Sequence, residues 1–177
     1  GANGQLGRAL RDTFADRDHV EYASRAELDL QGVLDSARHW RDYAVIINAA
    51  AYTAVDRAET ADGRRDAWSV NARAVAALAR VAARHGITLV HVSSDYVFDG
   101  SSGVPYTEDD EPAPLGVYGQ SKAAGDVAAM MAPRHYVVRT SWVIGDGANF
   151  VATMAGLAAR GVGPLVVDDQ RGRLSFA

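Results

Sequence analysis

The chain has 177 residues, of which 48% are hydrophobic and 23% charged, and its formal net charge is -4 at pH 7. These values fit one globular domain, and the interspersed charges of both signs argue against nucleic-acid partners. The sequence has no cysteine and no apolar run near the roughly 20 residues that span a bilayer, so it excludes disulfides and favours a cytoplasmic domain without a membrane partner.

Apolar periodicity predicts helices and strands in strict alternation. The predicted helices span residues 5–14, 31–40, 55–85 (broken near 63), 117–131 and 150–160, and the predicted strands span residues 19–23, 43–48, 87–92, 136–143 and 165–167. Residues 98–115 contain several glycines and prolines and are predicted as a loop. This alternation predicts an α/β fold of the Rossmann type, with a doubly wound parallel sheet and helices on both faces.

The chain opens with GANGQLG, in which glycines stand at positions 1, 4 and 7 before a predicted helix. Glycine lets a phosphate approach the backbone, and the helix N-terminus offers N–H groups and the positive end of its dipole. The spacing differs from the more familiar dinucleotide fingerprint. It predicts a phosphate-binding loop, with a plain glycine-rich turn as the alternative.

The predicted second strand ends at Ser24 and Arg25, where a dinucleotide-binding fold meets the adenosine ribose. An acidic residue here binds the 2′-hydroxyl of NAD, whereas an arginine can pair with the 2′-phosphate of NADP. The sequence therefore favours NADP(H), with NAD(H) as the alternative. A solvated surface arginine is the competing interpretation.

Polar residues follow three predicted strands, at residues 48–53, 93–96 and 140–142. In parallel sheets, ligands bind at the carboxyl ends of the strands. The segment VYGQSK then places Tyr118 and Lys122 on one face of a predicted helix. A nearby ammonium lowers the tyrosine pKa from about 10, which suits a general acid for a carbonyl becoming an alcohol. Since Tyr-x-x-x-Lys is common by chance, the pair gains weight only from the segments that precede it.

The chain resembles the extended short-chain dehydrogenase/reductase superfamily and, within it, the dTDP-4-dehydrorhamnose reductases. The resemblance runs the whole length, through GANGQLG, NAAAYTAVDRAE (48–59), VSSDYVFDG, YGQSK, RTSWVIG (139–145), NF (149–150) and VDDQRG (167–172), in this order. It implies reduction of the 4-keto group of dTDP-4-dehydro-L-rhamnose by hydride from NADPH or NADH, and hence a dTDP-sugar as partner.

The resemblance also implies roles for individual residues. Tyr118 would protonate the carbonyl oxygen, Ser94 would hydrogen-bond it, and Lys122 would hold the nicotinamide ribose and lower the Tyr118 pKa. The implied cofactor site comprises Tyr118, Lys122, Gly1, Asn3, Gly4, Gln5, Leu6, Gly7, Ser24, Arg25, Asp29, Leu30, Ala49, Ala50, Ala51, Tyr52 and Thr53. The implied substrate site comprises Thr53, Val55, Ser94, Asp95, Tyr96, Tyr118 and Trp142.

By the same resemblance, residues 1–177 form an NAD(P)-binding Rossmann domain, and a substrate-binding region begins near residues 149–177. The first strand of the sheet and the C-terminal substrate domain are expected to be missing from the chain. Ala9 stands where some members carry an acidic magnesium ligand, which argues against that site, and no other metal site is expected. Residues 172–175 (GRLS) depart from the usual Gly-x-Pro-Thr.

Two other functions remain open. The chain could be another sugar-nucleotide member, such as a 4,6-dehydratase or a 4-epimerase; Asp95 permits a dehydratase, but Tyr96 rather than glutamate follows it. It could also be a non-catalytic, NADP-binding regulatory subunit, although such a module need not keep Ser94, Tyr118 and Lys122. Asn71 either orders the backbone near Lys122 or is an ordinary helix residue. The oligomeric state is also open, a homodimer included.

Overall fold

The structure is a computed structural model that describes residues 1–168, 170 and 172–177. The helices of this part are α1 (Gln5–Thr13), α2 (Val55–Ala58), α3 (Ala61–Trp68), α4 (Ala74–His85), α5 (Val117–Ala129) and α6 (Phe150–Ala159). The strands are β1 (Val45–Asn48), β2 (Thr88–Ser94), β3 (His135–Thr140), β4 (Trp142–Ile144) and β5 (Leu174–Phe176). A π-helical turn, Ser69–Arg73, joins α3 to α4, and 3₁₀ turns lie at Trp40–Asp42 and Asp95–Val97.

Strands β1, β2 and β3 form a parallel sheet in that order, and β4 and β5 form a second parallel pair. Asn48 pairs with His91, and Ser94 pairs with Thr140, so the carboxyl ends of the three strands meet at one edge. Helices connect the parallel strands, as such sheets require. The predicted α/β fold with a parallel sheet is confirmed, and the edge where ligands were expected is assembled.

The core lies between the sheet and helices α4 and α5. Leu89, His91 and Ser93 alternate along β2 and are all buried on this side. The apolar stripe of α4, including Leu78 and Val81, packs on the same core, together with Ala129 and Ala132 at the end of α5. The opposite face of the sheet is also apolar, but Val45, Ile47, Tyr136 and Val138 are partly exposed there. Apolar residues on both faces are typical of parallel strands.

Two predicted elements of the first third are wrong. Residues 19–23 form no strand, and residues 31–40 form turns instead of a helix. In the second segment Leu34 and Trp40 are buried against α4, and the Trp40 indole donates to the Leu34 carbonyl at 2.6 Å. Tertiary packing of these two side chains outweighs a weak helical period. In the first segment Tyr22 lies against Arg11 of α1, and strand propensity alone does not hold a strand without a partner.

Three further boundaries differ from the prediction. The long helix breaks before Thr60, whose hydroxyl caps α3 by accepting from Gly63 N at 3.1 Å. The predicted strand 136–143 is interrupted at Ser141, which sends its two halves into different sheets. Residues 165–167 form no strand, and the partner of β4 is β5.

We expect Gly125→Ala to destabilise the fold by about 1–3 kcal/mol, because an added Cβ would overlap the backbone oxygen of Asn71. Gly156→Ala is the matched control in α6, where the nearest atom to the new Cβ is Arg160 Nη1 at 3.6 Å. That change should stabilise by about 0.5–1 kcal/mol, the usual gain of alanine over glycine within a helix. Urea denaturation measures both, and equal effects would contradict the close approach at Gly125.

Candidate active site

The predicted catalytic residues lie together where α5 crosses the end of β2. Ser94 ends β2, and Tyr118 and Lys122 project from the first two turns of α5. All three are buried, and Lys122 is only 1% exposed. The Tyr96 ring lies edge-on to the Tyr118 ring, with centroids 5.5 Å apart. A Cβ on Gly119 would overlap the Tyr96 backbone oxygen, so glycine permits this close approach.

Burial controls the protonation state of the Tyr118 phenol. It raises the Tyr118 pKa above its usual value near 10; the nearby Ser94 hydroxyl opposes the rise, and the charge of Asp95 adds to it. The expectation that Lys122 lowers the Tyr118 pKa stays a prediction, because burial, which raises that pKa, is the largest influence on the phenol. The phenol is therefore protonated at neutral pH and can donate a proton. The Ser94 hydroxyl also donates to Asp95 Oδ1 and accepts from Tyr96 N, both at 3.2 Å.

The Lys122 ammonium donates to the Val92 carbonyl oxygen of β2 at 2.7 Å. Burial lowers the Lys122 pKa to about 8, and the charge of Asp126 opposes this shift. Below that pH the side chain is mainly cationic. Lys122 is the single lysine among the 18 lysine and arginine residues of the chain. The single lysine is a signal that the motif analysis did not use. Arginine supplies every other side-chain cation, and only lysine gives a compact charge whose pKa burial can shift.

Asn71 connects the segment after β1 to α5. It is 1% exposed and lies in the π-helical turn, a feature that often marks functional sites. Its side chain accepts from Tyr52 N at 2.8 Å and donates to the Tyr52 carbonyl at 3.1 Å and to Ser121 Oγ at 3.0 Å. Asn71 thus orders the backbone at Tyr52 and the helix turn next to Lys122, which decides between its two interpretations.

A carboxylate that is distant in sequence caps the N-terminus of helix α5. Glu59, between α2 and α3, accepts from the Val117 N–H at 2.8 Å, one residue before Tyr118. The N-cap residue of α5 is Gly116, which has no side chain that could cap the helix. The sequence reading missed Glu59, and no local signal reveals it, because the partners are 58 residues apart.

The glycine-rich loop packs closely against the segment after β1 and leaves the start of helix α1 uncapped. An added Cβ on Gly1 would meet the backbone of Ala49 and Ala50, and one on Gly7 would overlap Gly1 O. Helix α1 has no side-chain cap and no acidic residue in its first turn, so its first N–H groups and dipole are uncompensated. The structure thus joins two predicted cofactor segments, residues 1–7 and 49–51. A phosphate group fits this arrangement.

A surface cleft of about 760 Å³ lies beside this loop. Its lining includes Asn3 and Ser24, as expected for the adenosine end of a cofactor site, and also Arg11 and Glu27. Arg25 is not part of the lining, and its guanidinium donates to Gln31 Oε1 at 3.2 Å. Arg11, which sequence reasoning missed, is the cation that lines the cleft.

Other predicted cofactor residues have partners outside this cleft. Asp29 accepts from Gln31 N at 3.1 Å, and Leu30 packs against the core. The Gln5 amide donates to the Ala148 carbonyl at 2.7 Å. Leu6 is half-buried in the first turn of α1. These positions therefore lie away from the cleft, whereas Asn3 and Ser24 line it, and the Ser24 N–H donates to Glu27 Oε2 at 2.7 Å.

The predicted substrate residues are only partly brought together. Tyr52 and Val55 pack in one cluster with Tyr118, and Asp95 and Tyr96 follow β2 directly. Thr53 is exposed. Trp142 lies in the second sheet, two residues beyond Thr140, with its ring 6.4 Å from that of Phe150. Residues 169 and 171 of the VDDQRG segment lie outside the described residues.

None of the helices in the described part of the chain has the length and apolarity to cross a lipid bilayer. Residues 1–168, 170 and 172–177 also contain no group of three or more histidines and carboxylates that could hold a metal ion.

The family model named RmlD substrate binding domain matches residues 1–174. The chain belongs to this family. It is 43% identical over 187 residues to the dTDP-4-dehydrorhamnose reductase of Aggregatibacter actinomycetemcomitans, covering 100% of this chain and 62% of that protein. It is 46% identical over 185 residues to the reductase of that name from Mycobacterium tuberculosis, covering 99% and 60%. The chain thus spans about three fifths of the length of these family members.

Solved structures of the family share the fold. The crystal structure of a dTDP-4-dehydrorhamnose reductase from Clostridium acetobutylicum matches with a TM-score of 0.82 and 38% identity, over 90% of this chain and 58% of that one. The enzyme of that name from Bacillus anthracis, solved in complex with NADP, matches with a TM-score of 0.81 and 34% identity over the same shares. The Rossmann-type fold class predicted from the sequence is confirmed.

Replacement of Glu59 tests how α5 is held. We expect Glu59→Ala to lower the free energy of unfolding by about 1–3 kcal/mol, because the buried Val117 N–H loses its acceptor. Glu59→Gln keeps an acceptor oxygen and should cost less than half as much. Chemical denaturation of both variants provides the measurement. Equal losses would show that the charge of Glu59, not its hydrogen bond, stabilises the helix.

Proposed function

We propose that the protein containing this chain is a dTDP-4-dehydrorhamnose reductase, which reduces the 4-keto group of dTDP-4-dehydro-L-rhamnose to give dTDP-L-rhamnose with NADPH. The observation that carries the proposal is the burial of Tyr118 and Lys122 on α5 against the end of β2, beside Ser94. The names and identities of the family members support the choice of substrate. The NADP complex of the Bacillus anthracis relative supports the cofactor.

The chain's own residues suit a dinucleotide. The loop of Gly1 to Gly7 and the uncapped start of α1 would hold its pyrophosphate. Asn3, Ser24 and Arg11 line the cleft that would take its adenosine end. A bound nicotinamide would supply the hydride for the reduction.

Proton delivery to the sugar rests on Tyr118. As hydride adds to the keto carbon, the carbonyl oxygen takes the Tyr118 proton, and the ketone becomes a secondary alcohol. The raised pKa of Tyr118 keeps that proton available up to alkaline pH. Ser94 would orient the carbonyl oxygen with its hydroxyl. The Lys122 ammonium would stabilise the phenolate that remains, until solvent returns a proton to it.

The sugar nucleotide would bind over the exposed side of this group. Tyr96 is 37% exposed beside Tyr118, and Asp95 and Val55 lie at the same edge of the sheet. We assign Thr53 and Trp142 to the same surface, as the family resemblance implies. The Ser94 hydroxyl has one proton, which it donates to Asp95 Oδ1 in this structure, so it would turn from Asp95 to the carbonyl oxygen when the sugar binds.

Tyr118→Phe tests the reaction directly. We expect the variant to lose at least about a hundredfold in the rate of NADPH oxidation with enzymatically made dTDP-4-dehydro-L-rhamnose, because general acid catalysis contributes about that much or more. Absorbance at 340 nm gives the rate. NADPH binding, followed by nucleotide fluorescence, should be retained.

The outcomes separate the competing functions. Conversion of the sugar without stoichiometric NADPH loss would indicate an epimerase or dehydratase. NADPH binding by the wild-type protein without any turnover would indicate a regulatory subunit. Either result would contradict the proposed reductase.

A paired substitution tests the cofactor preference. We expect Arg11→Ala to lower the preference for NADPH over NADH by about tenfold or more, because a charge-assisted bond from a guanidinium to the 2′-phosphate would be lost. Arg25→Ala is the matched control and should leave the ratio of the two Michaelis constants nearly unchanged. The reverse pattern would restore the assignment to Arg25 that the sequence suggested.

A further inference from the structure

A line of buried polar side chains runs from the end of β1 to helix α5. Asn48 Oδ1 accepts from Ala50 N at 3.2 Å, so the amide nitrogen of Asn48 faces the neighbouring strand. There it lies 3.1 Å from His91 Nδ1. Because an amide nitrogen can only donate, Nδ1 of His91 accepts and Nε2 carries the ring hydrogen.

The His91 Nε2 atom lies 3.7 Å from Asp126 Oδ1, and both side chains are almost fully buried. Burial and the Lys122 charge lower the His91 pKa to about 3, so the ring is neutral at physiological pH. The neutral His91 ring therefore adds no charge beside Asp126, and at 3.7 Å its Nε2 forms no hydrogen bond to the carboxylate. The hydroxyl of Ser93, on the same face of β2, is a further uncharged group beside Asp126.

The charges that face Asp126 come from two elements. Arg139 Nε of β3 lies 3.3 Å from Asp126 Oδ2. Lys122 stands one helical turn before Asp126 on the same face of α5, and the two charges act on each other. Burial raises the Asp126 pKa, and Ser93, Arg139 and Lys122 lower it. A carboxylate that is 1% exposed needs such partners to stay ionised.

We propose that Asp126 is a positioning residue for Lys122: its buried carboxylate, one turn along the same face of α5, keeps the Lys122 ammonium charged where it meets the Val92 carbonyl, behind Tyr118. Among the residues that the structure describes, Asp126 is the carboxylate whose charge raises the Lys122 pKa. Loss of the Asp126 charge would leave the buried Lys122 cation with the backbone oxygen of Val92 as its partner. The consequence for catalysis rests on the proposed function; the coupling of the two charges does not.

The single lysine makes the coupling measurable without substrate or cofactor. In protein labelled with ¹³Cε-lysine, the resonance that disappears in Lys122→Arg belongs to Lys122, and its titration gives the pKa. We expect Asp126→Asn to lower the Lys122 pKa by about one unit or more, the usual effect of losing an opposite charge nearby. Asp126→Glu, which keeps the charge, should restore most of the shift.

Arg139→Gln provides an independent variant of opposite sign. It leaves Lys122 as the cation that keeps the Asp126 carboxylate ionised, and without a competing cation the Lys122 pKa should rise. If Asp126→Asn does not fold, this variant decides alone: a rise supports the proposal, and no change overturns it. If Asp126→Asn folds and lowers only the melting temperature, Asp126 is structural and the proposal is wrong.

The pH profile of NADPH oxidation supplies the catalytic readout. The ammonium form exists below the Lys122 pKa, so activity that needs it declines as the pH rises through that value. In Asp126→Asn the alkaline limb should therefore move to lower pH by the same amount as the Lys122 titration. A Lys122 shift without a matching limb shift would overturn the catalytic part. Absence of turnover in the wild type at every pH would refute the proposed function. The titration of Lys122 would still decide whether its charge is coupled to that of Asp126.

Discussion

The close approach of helix α5 to the end of strand β2 determines the rest of the site. Lys122 reaches the Val92 carbonyl at 2.7 Å, which holds the helix to the strand at its centre. On either side, the backbone atoms of Tyr96 and Asn71 come so near that Gly119 and Gly125 leave no room for a Cβ. Every group considered for catalysis takes its position from this contact.

Burial, more than any single charge, sets the protonation of the two central residues. It raises the pKa of Tyr118 and lowers that of Lys122, because burial disfavours the charged form of each group. The two shifts have different consequences. A neutral phenol is the form that donates a proton, whereas a neutral amine would be useless as a stabilising cation. Only Lys122 therefore requires an opposing charge, and Asp126 supplies one.

Local signals in the sequence were sufficient where an element and its partner are encoded within a few residues. The glycine-rich loop, β2 and α5 all lie within a residue or two of the predicted positions, and the order of the motifs places Ser94 near Tyr118. Residues 31–40 were misread because two buried side chains, Leu34 and Trp40, fold that segment by tertiary contacts. Glu59 could not be predicted, since its partner is 58 residues away, and the solitary lysine was a signal that composition held but that motif spacing did not use.

The glycines that allow α5 to dock also weaken it as a helix. Each glycine within a helix costs about 1 kcal/mol relative to alanine, and a segment of 13 residues is near the lower limit for a helix stable alone. The segment that carries Tyr118 and Lys122 is therefore helical only while it is packed on the sheet. Its amide hydrogens should exchange with solvent through the same opening that unfolds the core, so Tyr118 and Lys122 are brought together only in the cooperative native state.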